Sequence, residues 1–148
     1  MQRGKLLDRD NNPITLTEGQ PGSYTRVYPY PDLAPITGYN NPIYGQSGLE
    51  ASMDEYLRGV RGNPAFQVWW SHLLYGMSPH GLDVRLSLDL DLQKRADEMM
   101  TRHRGAVLLL NAQSGEILVM SSLPTFNPNH LDEIGPQLNK DQIGRAHV

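Results

Sequence analysis

"RGAVLLLNAQSGEILVMSSLPTFNPN", residues 104–129, decides the fold. Two apolar runs, Ala106–Leu110 and Ile117–Met120, flank the polar segment Asn111–Glu116, which contains Gly115. A Gly-containing loop between runs of strand formers predicts a β-hairpin. Both runs are continuously apolar rather than alternating, so these strands are expected to be covered on both faces. Such a sheet belongs to a sizeable domain, yet only Ser121–Val148 follow the second strand. The stretch therefore reads as the opening of a larger domain.

Length and composition set the bounds. A chain of 148 residues with 39% hydrophobic content can build one ordinary core. The net charge of −3 comes with no basic stripe, so no nucleic acid partner is expected. The absence of cysteine excludes disulfides, thiol catalysis and Cys-based metal sites. No apolar run approaches the roughly 18 residues of a membrane span, and no signal peptide opens the chain. Most of the 14 Gly and 11 Pro fall within residues 1–81, which read as loop-rich.

Two helices are expected in that first half. In "YGQSGLEASMDEYLRG", residues 44–59, Ser47 and Glu50 fit a capping box, Leu49, Met53 and Leu57 share a face, and Gly59 can close the end. In "NPAFQVWWSHLLYG", residues 63–76, Asn63 is the cap, Pro64 the first helical residue and Gly76 the terminator. Farther on, Val84, Leu86 and Leu88 alternate with Arg85 and Ser87 as a half-buried strand. Asp89 or Asp91 can then cap a helix whose Leu92, Ala96, Met99 and His103 fall on one stripe.

Several chemical signals fail on inspection. "DRDNN", residues 8–12, starts like a calcium loop, but Pro13 stands where Gly is needed and Gly19 where a bidentate Glu is needed, so a turn is expected. The five histidines show no metal-ligand spacing, and Gly45 and Gly48 belong to no phosphate-binding loop. Asp89 and Asp91 are explained by capping without invoking an acid/base pair. No cofactor or metal is expected.

At the level of motif order the chain resembles the class B penicillin-binding proteins, the monofunctional transpeptidases of bacterial cell-wall synthesis. "RGKLLDRDNNPI" (3–14) resembles the first N-terminal motif of that family, "RVYPYPDLAPITGY" (26–39) the second and "YGQSGLEASMDEYLRG" (44–59) the third. "GLDVRLSLDLDLQKRAD" (81–97) matches the strand and helix leading into the transpeptidase domain, and residues 105–129 match that domain's opening hairpin. One departure is Asp10-Asn11, where the first motif usually has Asn-Gly; Asp and Asn also suit turns.

The resemblance implies an α+β fold: a loop-rich N-terminal pedestal of the dimerisation type over residues 1–88, then the entry helix and first hairpin of an incomplete transpeptidase domain over 89–148. It implies a parent enzyme that crosslinks peptidoglycan stem peptides through a serine acyl-enzyme and is acylated by β-lactams. The catalytic machinery of the family is a Ser-x-x-Lys nucleophile motif, then Ser-x-Asn, then Lys-Thr-Gly; a Ser hydroxyl needs an adjacent base before it attacks. No serine here is followed by Lys three positions later, and neither other motif occurs. The catalytic residues expected in this chain are therefore none, and the 148 residues alone are expected to be inactive. Family members carry a membrane anchor and act at the extracytoplasmic face of the bacterial cytoplasmic membrane, in cell shape or cell division; neither an anchor nor a targeting signal is read here. The terminal "IGRAHV", residues 143–148, fits nothing in the family, reads like a translated sequencing adapter, and is left out of the fold reasoning.

The alternative is a non-catalytic interaction module that docks a partner in the wall-building complex, the expected partner being a polytopic glycan polymerase. A third is an unrelated secreted module. Among individual residues, the resemblance implies that Arg3, Arg26 and Glu50 meet in the pedestal as an ion-pair cluster, against the plainer reading in which Glu50 only completes the Ser47 cap. Asp8 and Ser47 are the other structural residues of the first and third motifs. Phe66, Trp69, Trp70, Leu73 and Leu74 make a wide apolar face expected to pack on the pedestal. The hairpin, lacking cover, is expected to self-associate through residues 105–122, whereas a chain ending near Gly81 stays more soluble.

Overall fold

The computed structural model describes residues 2–64, 73–74 and 80–133. The helix expected over residues 63–76, with its tryptophans, and the tail 143–148 lie outside the described residues, apart from Asn63, Pro64, Leu73 and Leu74.

The architecture is α+β, built from two-stranded pairs and short helices. Strand β1 (Leu6–Leu7) leads into the "DRDNN" turn, followed by the antiparallel hairpin of β2 (Leu16–Gln20) and β3 (Ser23–Val27). Its register runs from Leu16 opposite Val27 to Gln20 opposite Ser23. A 3-10 turn (Pro31–Leu33) runs into α1 (Ala34–Thr37). The short antiparallel pair β4 (Asn40–Asn41) and β5 (Gly45–Gln46) then delivers the chain to α2 (Gly48–Ser52) and α3 (Asp54–Leu57). Strand β6 (Val84–Arg85) returns to pair in parallel with β1, Leu6 opposite Val84. That contact joins residues nearly 80 apart and closes the module on itself.

The single helix expected across residues 44–59 is two, broken at Met53, whose φ of −102° and ψ of 13° serve as the end of α2 and the start of α3. Gly59 does end the second piece, with φ at +70°. In the "DRDNN" turn, buried Asp8 accepts hydrogen bonds from the amides of Asp10 (2.9 Å) and Asn12 (2.7 Å) and from the Asn12 side chain (2.9 Å). Asn11 takes a left-handed φ of +67°. Asn is among the few residues that adopt this region readily, so it stands in for the glycine of the resembling motif.

The core beneath these turns is Leu6, Ile14, Leu33, Leu57, Leu88 and Leu90, with Tyr30, Ile36, Leu49, Met53, Val84 and Leu86 packed around it. Each fully buried aliphatic side chain contributes roughly 1.5–3 kcal/mol. Leu88 and Leu90 lie on the two sides of the boundary expected between residues 88 and 89, so the segments flanking it share one core.

Helix α4 (Leu90–Met100) starts where the Asp89 carboxylate accepts from the amides of Asp91 (3.1 Å) and Leu92 (3.0 Å). Its buried face is not the expected stripe. Leu92 is 37% and Met99 79% exposed, while Leu90, Gln93 and Asp97 turn inward. The apolar period points away from the described part of the protein, and the inward face is polar because it hydrogen-bonds strand backbone and a tyrosine. The hairpin itself forms as β7 (Gly105–Leu110) and β8 (Ile117–Leu123), antiparallel, with Leu108 opposite Met120 and a bulge between Leu109 and Leu110. Helix α4 covers one side of β8, burying Val119 and Ser121. Strand β7 is exposed along its whole length: nothing among the described residues supplies the two-sided cover that its continuous apolar run calls for.

Candidate functional site

Three separate segments converge on Glu50. Arg3 comes from the segment leading to β1, Arg26 from β3, and Glu50 from α2. Nε of Arg26 donates to Glu50 Oε1 at 2.7 Å, one terminal nitrogen lies 2.6 Å from the same oxygen, and Arg3 donates to Oε2 at 3.1 Å. Glu50 is fully buried, and the side chains of Arg26 and Arg3 are only 4% and 9% exposed. Arg3 also donates to the Asp54 carboxylate at the start of α3, which pairs in turn with Arg58. Two buried cations thus face two carboxylates.

The remaining donors are nearly all used. Arg26 donates to the Gly4 carbonyl (2.7 Å) and to the hydroxyls of Thr17 (2.8 Å) and Thr15 (2.6 Å). Thr15 and Thr17 are two positions apart, the spacing that puts side chains on one face of an extended chain, so both hydroxyls reach the guanidinium, and the Thr15 oxygen also accepts from the Leu6 amide at 3.0 Å. Within this cluster, Arg3 Nε is buried without a partner among the described residues. A planar five-donor fork suits such a buried carboxylate better than a lysine would. Gly4 permits the arrangement sterically. A Cβ there would stand 2.0 Å from the Leu82 carbonyl oxygen, at the point where the backbone of residues 81–82 crosses the first motif.

Asp54 carries a shifted pKa. Burial raises it, but hydrogen bonds from Arg3 and Gln46, with the Arg3 charge and Arg58, outweigh that and hold the carboxyl below the usual range. Sequence reasoning passed over Asp54, although it lies four positions after Glu50 and so on the same side. Ser47 does occupy the residue before α2, but its side chain makes no capping bond. Its hydroxyl accepts from the Tyr39 amide at 3.3 Å instead, and Glu50 is committed to the arginines, so the expected capping box is absent. Asp8 organises its own turn instead, its carboxylate accepting from Asp10 and Asn12.

A second polar region lies where α4 meets the module. A cleft of about 520 Å³ is lined by Tyr30, Asp32, Lys94, Asp97, Thr101 and Leu123. The Tyr30 hydroxyl donates to Asp97 at 3.2 Å, and Lys94 sits 5.8 Å from the centre of the Tyr30 ring. Burial, followed by the Asp97 charge, pushes the Asp32 carboxyl upward. Neither region pairs a nucleophile with a base. Among the described residues no group of three acidic, His or Cys side chains could hold a metal, and no helix is long and apolar enough to cross a membrane.

The same segments are recognisable in other proteins. A family model described as "Penicillin binding protein A dimerisation domain" matches residues 3–84. The chain is 33% identical to the peptidoglycan D,D-transpeptidase PbpA of Mycolicibacterium smegmatis over 73% of its length and 23% of the relative's. It is 31% identical to the peptidoglycan D,D-transpeptidase MrdA of Acinetobacter baumannii, covering 71% of this chain and 19% of that protein. Among solved structures, a ceftriaxone acyl-enzyme complex of penicillin-binding protein A from M. tuberculosis superposes with a TM-score of 0.79 at 26% identity, over 97% of this chain and 34% of the other. The chain thus spans about a fifth to a third of the length of these proteins.

Proposed function

The chain belongs to the penicillin-binding protein family, of class B, and from that premise we propose that it serves as the N-terminal pedestal and domain entry of a serine D,D-transpeptidase that crosslinks peptidoglycan stem peptides. The relatives named above are peptidoglycan D,D-transpeptidases, and the M. tuberculosis protein forms a covalent complex with a β-lactam. The observation that carries the reading is continuity. The likeness does not stop with the module at residue 84 but runs on through α4 and the hairpin over 97% of the chain.

On this reading residues 1–88 form the pedestal, and residues 89–148 open the domain in which the acyl-enzyme forms. Arg3, Arg26 and Glu50 hold the pedestal motifs together, Asp8 and Ser47 shape the turns beside them, and none of the five touches substrate. The parent acts at the outer face of the cytoplasmic membrane on stem peptides and is inhibited by β-lactams. The decisive experiment is to label the whole protein encoded by the gene with a fluorescent penicillin. A single acylated serine, lost on substitution of a Ser-x-x-Lys serine, supports transpeptidation; an unlabelled, correctly folded protein overturns it.

The description of the matched family as a dimerisation domain favours a second reading, a docking module for a partner in wall synthesis. A polytopic glycan polymerase is the proposed partner. Its co-purification with the 148-residue protein would favour docking, and that result is independent of penicillin labelling.

A further inference from the structure

Gln93 is a polar side chain with no solvent exposure, on the inward face of α4. Its Oε1 accepts from the Met120 amide at 2.8 Å, and its Nε2 donates to the Met120 carbonyl at 3.2 Å. One side chain thus supplies to β8 the donor and acceptor that a neighbouring strand would supply. The Asp89 amide supplies a further donor two residues earlier, to the Leu118 carbonyl at 2.9 Å.

An amide can make this pair of bonds in only one of its two orientations, because the flipped form would set an NH2 group against the Met120 N–H. Asp97 selects the orientation: its two carboxylate oxygens lie 3.0 and 3.2 Å from Nε2 and accept from it. Asp97 is held in turn by the Tyr30 hydroxyl, which belongs to the N-terminal module.

We propose that Gln93 is a positioning residue that fixes strand β8, and that Tyr30 and Asp97 act through its amide orientation to couple the module to that strand. The inference goes beyond the transpeptidase reading and does not depend on it. The coupling has a chemical polarity: a donor at one of positions 93 and 97 must face an acceptor at the other.

Polarity is what the experiment reads, by amide hydrogen exchange on the 148-residue protein. Gln93→Glu keeps the acceptor for the Met120 amide but sets two carboxylates against each other, so Met120 is expected to exchange on the order of tenfold faster at neutral pH. Adding Asp97→Asn restores a donor opposite an acceptor, and the double variant is expected to recover most of the Met120 protection. A space-filling Gln93 predicts no such rescue, and a double variant no better than Gln93→Glu overturns the proposal. Should Gln93→Glu fail to fold, Tyr30→Phe carries the test. It is expected to speed Met120 exchange several-fold while leaving Leu6 unchanged; an effect confined to the module overturns the coupling.

Discussion

Arg26 and Glu50 meet deep in the module, with two guanidinium nitrogens 2.7 and 2.6 Å from one oxygen of a carboxylate that has no solvent exposure. Removing both charges from water is costly, so the pair is not by itself a large net stabiliser. Breaking it is another matter. Glu50→Ala leaves Arg26 and Arg3 buried without their shared counter-charge, and the expected loss is on the order of 3–5 kcal/mol in urea unfolding. A loss near ~1 kcal/mol, the size of a lost helix cap, would mean the arginines relax into solvent.

Acid should act on the same cluster through Asp54. A carboxyl held below its unfolded pKa adds stability that is complete above that value and is lost as pH falls through the lower, folded one. The module is therefore expected to lose stability below about pH 4, the ordinary aspartate range. Asp54→Asn should lower stability at pH 7 and flatten that acid dependence. Thermal melts across pH 2–7, on the order of one per unit, compare the two; parallel curves would remove Asp54 from the acid response.

Gly4→Ala tests the crossing of the first motif against residues 81–82. The added methyl meets backbone, not a movable side chain, since its nearest neighbours are the carbonyl oxygen, carbon and amide nitrogen of Leu82. Overpacking costs roughly 1–3 kcal/mol where side chains can shift, and this site should reach or exceed the upper end. A wild-type melting temperature would show that the crossing opens easily.

Much of this was legible in the sequence where the signal is local. The hairpin announced itself through a Gly-containing loop between apolar runs, and Asp89 through its place before a helical period. Other features were hidden for physical reasons. A hydrophobic period identifies a buried face only when that face is apolar, so Gln93 and Asp97 were passed over in favour of Leu92 and Met99. The pairing of β1 with β6 depends on residues far apart in the chain, and no local pattern encodes it. Ser47 and Glu50 have capping-box spacing, but a tertiary partner for Glu50 overrode the local one.

Catalysis by the 148 residues themselves can be checked directly. Acylation needs an activated nucleophile, and no serine here has Lys at the third following position. Incubation with penicillin should give no stoichiometric mass increase. An adduct on one serine would reveal a nucleophile outside the family pattern.

Self-association should follow from β7. Leu108 is 53% and Leu110 51% exposed in a strand exposed along its whole length, whereas Gln93 and Asp89 occupy backbone groups of Met120 and Leu118 on β8. An apolar strand without cover invites pairing with another chain. Cutting the chain near Gly81 is not a clean control, because it would also remove β6, which pairs with β1, and the core residues Leu88 and Leu90. Leu108→Lys is cleaner: it places a charge on the exposed strand and touches none of the buried core. Light scattering at matched concentration should show the 148-residue protein associating and Leu108→Lys associating less, with unchanged melting. Equal scattering from the two would place the sticky surface elsewhere, with the exposed Leu92 and Met99 of α4 as the next residues to charge.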